Sequence, residues 1–386
     1  MNYPKVNAHL HTPYSFSAFR DIDDALDRAA AENVKVVGIN DFYTAAGYDE
    51  WAAGCEKRKL YPLFNIEFIG LSEKDREAGI RINDPANPGR IYISGKGLAY
   101  PFRLPDPYVS LLEEVRNETN RQVKAMCEKL NTILEGGKVG FTLNFERIKK
   151  ELTKGIVRER HLAKALRMKV YEIFGEDKEG IKAVLEKIFG GKSLRAPVEN
   201  IAEVENEIRS NLLKAGGRAF VPEDAKAFLP METICEIVLA AGGIPTYPFL
   251  GDDAQGNYTD FEKDLESVAE ELAKRGFHSV EFITTRNRVD LLEKYAGYLH
   301  DHGFVVTFGS EHNTPVMEPV ELFARGRTPL TERLMQINYE GACVVAAHQH
   351  VVAQGLEGYV DGKGYADRAK REEWVKLGDE LIRSKI

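Results

Sequence analysis

The chain has 386 residues, which at roughly 150 residues per domain gives room for two or three domains, or for one large α/β barrel carrying an insertion. Hydrophobic residues make up 43% and charged residues 29%, which excludes a disordered chain, and 52 Lys and Arg against 60 Asp and Glu leave a net charge of −8, so a broad basic face for nucleic acid has no compositional support. Cys55, Cys127, Cys235 and Cys343 lie far apart with no CxxC pair, so neither a zinc ribbon nor a disulfide framework is suggested, and no early segment reads as a leader or a membrane span; the default expectation is a cytoplasmic protein.

In chain order, the expected elements begin with a strand at Lys5 to Thr12, a helix at Ile22 to Glu32, a strand at Val34 to Asp41, a helix at Tyr48 to Arg58 and a strand at Tyr61 to Phe68. Strands alternating with helices of this length imply a parallel sheet with right-handed crossovers. Residues 71 to 105, rich in Gly, Pro and Asn, read as loop around a short strand at Arg90 to Ser94, with room for a hairpin. From 106 to 230 the pattern is helical, near Val109 to Leu134, Glu146 to Leu152, Val157 to Phe174, Glu179 to Phe189 and Glu199 to Leu213, and is expected to form an inserted subdomain. The βα rhythm resumes over 231 to 315 with strands at Gly243 to Pro248, Ser279 to Ile283 and Val305 to Ser310. Residues 316 to 386 add helices near Pro329 to Gln354 and Tyr365 to Ser384, expected to pack on the barrel.

Side chains alternate along a strand, so His9 and His11 of Asn7-Ala8-His9-Leu10-His11-Thr12 point the same way and can share a metal ion. Two further HxH pairs, His300/His302 and His348/His350, fall on helices, where residues two apart diverge by about 200°, and are read as structural. Each expected strand also ends in a polar or ionisable residue: Asp41, Glu67, Tyr247, Glu281, then Glu311-His312. In parallel α/β barrels the C-terminal strand ends are where the βα loops converge on the active site. Helix capping accounts for any one such residue; five of them beside an HxH pair point to a metal-assisted hydrolase using zinc, manganese or iron.

These residues resemble the PHP family, the polymerase and histidinol phosphatase superfamily of distorted (βα)7 barrels. The matching pieces are His9-Leu10-His11-Thr12, Gly38-Ile39-Asn40-Asp41, Asn65-Ile66-Glu67, Gly243 to Pro248, Ser279-Val280-Glu281 and Gly309-Ser310-Glu311-His312-Asn313, with Arg158-Glu159-Arg160-His161 standing for an Arg-x-His element in the insertion. The resemblance implies a TIM-like barrel with a metal centre whose first ion is held by His9, His11, Glu67 and Glu311. A second ion would share Glu67 and draw on His161, because Tyr247 stands where a histidine is usual. The third site is expected to be lost, since Ser17, Phe42 and Asn313 stand at its usual ligand positions.

The expectation is therefore a reduced centre of one divalent ion, or two. Asp41 is the candidate to orient or deprotonate water, and Glu281 is read either as catalytic or as a group holding a ligand histidine. Tyr247 is expected to donate to a substrate oxygen or to pack. Arg158, Arg160 and His312 are candidate contacts for a small anionic substrate. Gly190-Gly191-Lys192-Ser193 lacks the preceding glycine and strand of a P-loop and is set aside. Three functions stay open: a phosphoesterase, a metal enzyme acting on a sugar acid or amide, and a non-catalytic metal-binding protein.

Overall fold

The structure, a computed structural model, describes residues 3–253 and 255–386. β1 (Lys5–Leu10), β2 (Val34–Phe42) and β3 (Tyr61–Leu71) run parallel and are joined by helices Ile22–Ala31 and Tyr48–Arg58. The first helix starts where the Asp21 carboxylate accepts from the Asp24 backbone N–H at 2.7 Å, satisfying a donor the helix itself leaves free.

The short strand expected at Arg90 to Ser94 is present, runs two residues further and forms a full strand of the wall. β4 (Arg90–Lys96) lies antiparallel to β3 on one side and to β6 (Ile244–Phe249) on the other. After β3 the chain doubles back without a crossover helix, and the Ser72 N–H donating to the Gly89 carbonyl at 2.8 Å ties the base of the return. β5 (Leu229–Pro230) is a two-residue strand on the end of β3. β7 (Ser279–Ile283) and β8 (Val305–Gly309) restore parallel pairing.

The wall is thus seven mostly parallel strands in the order β1-β2-β3-β4-β6-β7-β8, a distorted TIM-like barrel. It closes through a parallel bridge between Leu10 and Glu311, with the His11 N–H donating to the Glu311 carbonyl at 2.8 Å. Gly309 permits the closure: a Cβ there would lie 2.2 Å from that of His9.

Helix Glu332–Ala353 covers the N-terminal end of the barrel, where Ala342, Val345 and Ala346 cluster with Val6, Val36, Leu63 and Val305. Helix Tyr108–Gly136 joins barrel to insertion. Its early Leu112 and Val115 belong to the barrel core, whereas Val123, Leu130 and Leu134 belong to a separate apolar core shared with Leu162, Leu166, Leu185 and Val204. No helix among the described residues is long and apolar enough to cross a membrane. All four cysteines are free, and Cys55, Cys127 and Cys343 are buried.

Candidate metal centre and anion cleft

The strand period of two puts polar side chains inside the barrel. Asn7, His9, Asn40, Asn65, Glu67, Ser94, Lys96, Thr246, Glu281 and Thr307 are all buried, which costs free energy unless each finds a partner. His9, on β1, places Nδ1 3.1 Å from Glu281 Oε2. His11, just past β1, places Nδ1 3.1 Å from Ser15 Oγ, and Ser15 in turn donates to Asp41 Oδ1 at 2.5 Å.

Carboxylates only accept, and the Ser15 hydroxyl hydrogen is already committed to Asp41. Both Nδ1 atoms therefore carry the hydrogen and both Nε2 atoms present lone pairs, that of His9 also accepting from the Asn40 side-chain amide at 2.9 Å. Those atoms face each other at 3.1 Å, with Glu67 Oε2 3.0 Å from His11 Nε2 and 3.6 Å from that of His9. Glu67 Oε2 is buried without a hydrogen-bond partner. Three converging electron-rich atoms, all within 4.8 Å of one another, repel unless a proton or a metal ion sits among them. Nitrogen, nitrogen and carboxylate oxygen form a donor set suited to a divalent metal ion, with Glu281 and Ser15 orienting the two rings. The titration directions agree: burial opposes charge on His9, but Glu281 and Glu67 together outweigh it and raise its pKa. Burial likewise opposes the Glu67 carboxylate, but His11 and His9 hold it below the usual range. The pocket favours added positive charge.

Asp41, expected to face water, lies behind His11. It accepts from the Thr12 N–H at 2.8 Å, the Thr12 hydroxyl at 2.5 Å and the Ser15 hydroxyl, so its oxygens are occupied in holding the turn after β1. Glu311 follows β8 in a left-handed conformation, φ 62°, and its carboxylate takes an ion pair from Arg286 at 2.6 Å. It lines the cleft but stands apart from the group of His9, His11 and Glu67.

Three expectations are corrected, two from strand-end position (a substrate contact for Tyr247, whose alternative was to pack, and a site role for His312) and one, His161, from the Arg-x-His resemblance. Tyr247 alternates outward with Phe249, packs edge-on against it and donates to Glu262 at 2.8 Å, so it does not reach the site. His312 spends both ring nitrogens on Ser310 Oγ and the Glu318 carbonyl. His161 Nδ1 accepts the Arg158 backbone N–H at 2.9 Å, which leaves Nε2 carrying the hydrogen and unable to ligate; burial lowers its pKa to about 3. Of the helical HxH pairs, His348 is buried and His350 exposed, as divergence on a helix requires.

Above the three ligand candidates lies a cleft of about 330 Å³ whose lining includes Glu67, Phe42, Arg158, Arg160, Arg209 and Arg286. Phe42 stacks on His11 with ring centroids 4.9 Å apart, and Arg158 lies over Phe42 at 4.8 Å. Arg209 is paired with Glu159 at 2.7 Å. Arg160 lies over Phe16 at 5.8 Å, and burial together with Arg209 pushes its pKa down to about 10. A crowded, partly desolvated guanidinium of this kind is relieved by a bound anion. Arg209, Arg286 and Lys96 carry no motif; a strand pattern followed two residues past Ser94 would have placed Lys96 inside the barrel.

No protein-family model matches the chain, and no curated protein matches it in sequence. Solved structures do. A protein from Bifidobacterium adolescentis described as an inferred metal-dependent phosphoesterase superposes with TM-score 0.55 at 16% identity, covering 86% of this chain and 94% of its own. An amidohydrolase from Chromobacterium violaceum, solved with bound sulfate and no metal, gives TM-score 0.51 at 16% identity, covering 86% and 96%. The likeness is one of fold. It spans the insertion as well as the barrel, because a match confined to the barrel would leave a larger share of this chain uncovered.

Proposed function

We propose that the chain is a metal-dependent hydrolase of the PHP type that cleaves a small phosphorylated molecule, with His9, His11 and Glu67 holding a single divalent ion. The observation that carries this reading is the convergence of two imidazole lone pairs and an unpartnered carboxylate oxygen at the floor of an arginine-lined cleft. Two structural neighbours described as hydrolases, one of them binding an oxyanion, support it.

His9, His11 and Glu67 would hold the ion, which when bound would supply Lewis acidity toward water and the ester. The chain's own groups do the rest. Glu281 and Ser15 keep the two imidazoles in the Nδ1–H form, so that both Nε2 atoms stay available. Arg158 and Arg160 bind the phosphoryl oxygens through guanidinium forks, and the Phe42 and Phe16 rings beneath them fix the planes from which they reach. The aromatic wall also excludes water from one side of the cleft, which strengthens these charge contacts.

The test is a panel of small phosphomonoesters, amides and lactones offered to protein of known metal content. Phosphate release that needs the metal and disappears in His9→Ala and Glu67→Gln, both still folded by circular dichroism, is expected. Turnover of amides or lactones with no phosphate release would replace the phosphoesterase reading by that of a metal enzyme acting on a sugar acid or amide, and bound metal with no turnover at all would favour a non-catalytic protein.

A further inference from the structure

Beneath the metal candidates, the barrel interior holds a buried lysine that the proposed hydrolysis does not use. Lys96, on antiparallel β4, has no solvent exposure, and its Nζ lies 2.6 Å from Glu281 Oε2 and 3.1 Å from the Ala8 carbonyl. Glu281 is equally enclosed. Its Oε1 accepts from the Ser94 hydroxyl at 2.5 Å, and its Oε2 is shared between Lys96 and His9 Nδ1. Ser94 and Lys96 stand two residues apart on one face of β4, so the strand that reverses direction in the wall supplies two donors that clamp this carboxylate.

We propose that Lys96 is a positioning residue that tightens metal binding by locking Glu281 onto His9. A carboxylate with four acceptor directions and only His9 beside it could rotate or take up a proton; with Ser94 on one oxygen and the ammonium on the other, it is held ionised and in one orientation. That orientation requires hydrogen on His9 Nδ1 and puts the lone pair on Nε2, where a metal ion would take the place of the Asn40 amide that lies 2.9 Å away.

The alternative is that Lys96 acts on the ion only as a nearby positive charge, and it predicts the opposite sign. Like charges repel, so on that account removing Lys96 would tighten metal binding, whereas on the clamping account it weakens it. The proposal rests on the metal reading of His9, His11 and Glu67, and the experiment separates the two.

Zinc affinity is measured by competition with a chromogenic chelator on full-length wild type, Lys96→Met, Glu281→Gln and the double variant, with folding checked by circular dichroism. The expected result is a weakening of about 10- to 100-fold in Lys96→Met, the usual range for loss of a group supporting a metal ligand. On the Glu281→Gln background, adding Lys96→Met is expected to change nothing, because the clamp no longer has a carboxylate to hold. Unchanged or tighter binding in Lys96→Met, or any tightening between Glu281→Gln and the double variant, overturns the proposal; the second comparison decides alone if Lys96→Met does not fold. A wild type that binds no zinc overturns the metal reading itself.

Discussion

The barrel and the insertion bury their interiors in opposite ways. The insertion closes around Leu130, Leu162, Leu166, Leu185 and Val204, and sends most of its charged residues outward or to the cleft, the buried Glu205 being paired with Arg167 at 2.8 Å. The barrel, beneath an apolar layer of helices, encloses Asn7, His9, Asn40, Lys96 and Glu281. Apolar burial stabilises by roughly 25 cal/mol per Å², whereas each polar group inside the barrel must first recover its lost hydration. The insertion's interior is therefore read as stability, and the barrel's as a scaffold for the site that gives up some stability to hold two imidazoles in one tautomer.

Substitutions that separate these roles test the contrast, and the largest effect belongs to the ligands. Glu67→Gln removes the only charge among the three converging atoms; loss of bound metal and of all metal-dependent turnover is expected, as read by elemental analysis and phosphate release, with the fold retained. In the insertion's core, Leu166→Ala opens a cavity and is expected to cost about 2–5 kcal/mol in urea unfolding while leaving the metal content per folded chain unchanged. A drop in metal content with Leu166→Ala would erase the contrast.

At the seam between the regions, Arg158→Ala and Arg160→Ala are each expected to raise KM for an anionic substrate by roughly 10- to 100-fold, the loss of a charged hydrogen bond worth about 1.5–3 kcal/mol. Metal content should not change. Unaltered KM in both variants would remove the arginines from substrate binding.

The last effect appears only on acidification. Burial lowers the His348 pKa to about 4 while its Nε2 contacts the Gly242 carbonyl at 2.9 Å. The unfolded chain takes up a proton near pH 6.5 and the folded chain does not, so the stability this neutral histidine contributes is present above that pH and is lost as pH falls toward 4, by about 1.4 kcal/mol per pH unit. His348→Gln is expected to flatten the slope of unfolding free energy over that window; an unchanged slope would assign the acid sensitivity to other groups.

The sequence made the parallel strands legible because their apolar runs alternate with helices; strand parity made His9 and His11 legible, and strand-end position with the family resemblance made Glu67 so. β4 was expected as a short strand at Arg90 to Ser94, but its place in the wall was hidden by its direction, since a strand entered from a return loop shows no βα rhythm, and ending it at Ser94 left Lys96 out. Strand-end position alone misplaced Tyr247 and His312, because the residue before or after an inward one points elsewhere. Tyr247 shares the outward face of Phe249, and His312 turns to Ser310 and Glu318. The arginines from the insertion could not be assigned to the cleft from helical spacing, since the packing of one core on another brings Arg209 and Arg160 beside strand ends distant in sequence.

The most direct measurement is metal content per chain, by elemental analysis of protein purified without added metal or chelator, for wild type, His9→Ala and Arg158→Ala. The account predicts about one equivalent in wild type and in Arg158→Ala, and almost none in His9→Ala, as expected for a site whose protein ligands supply its affinity. Equal metal in wild type and His9→Ala would contradict it.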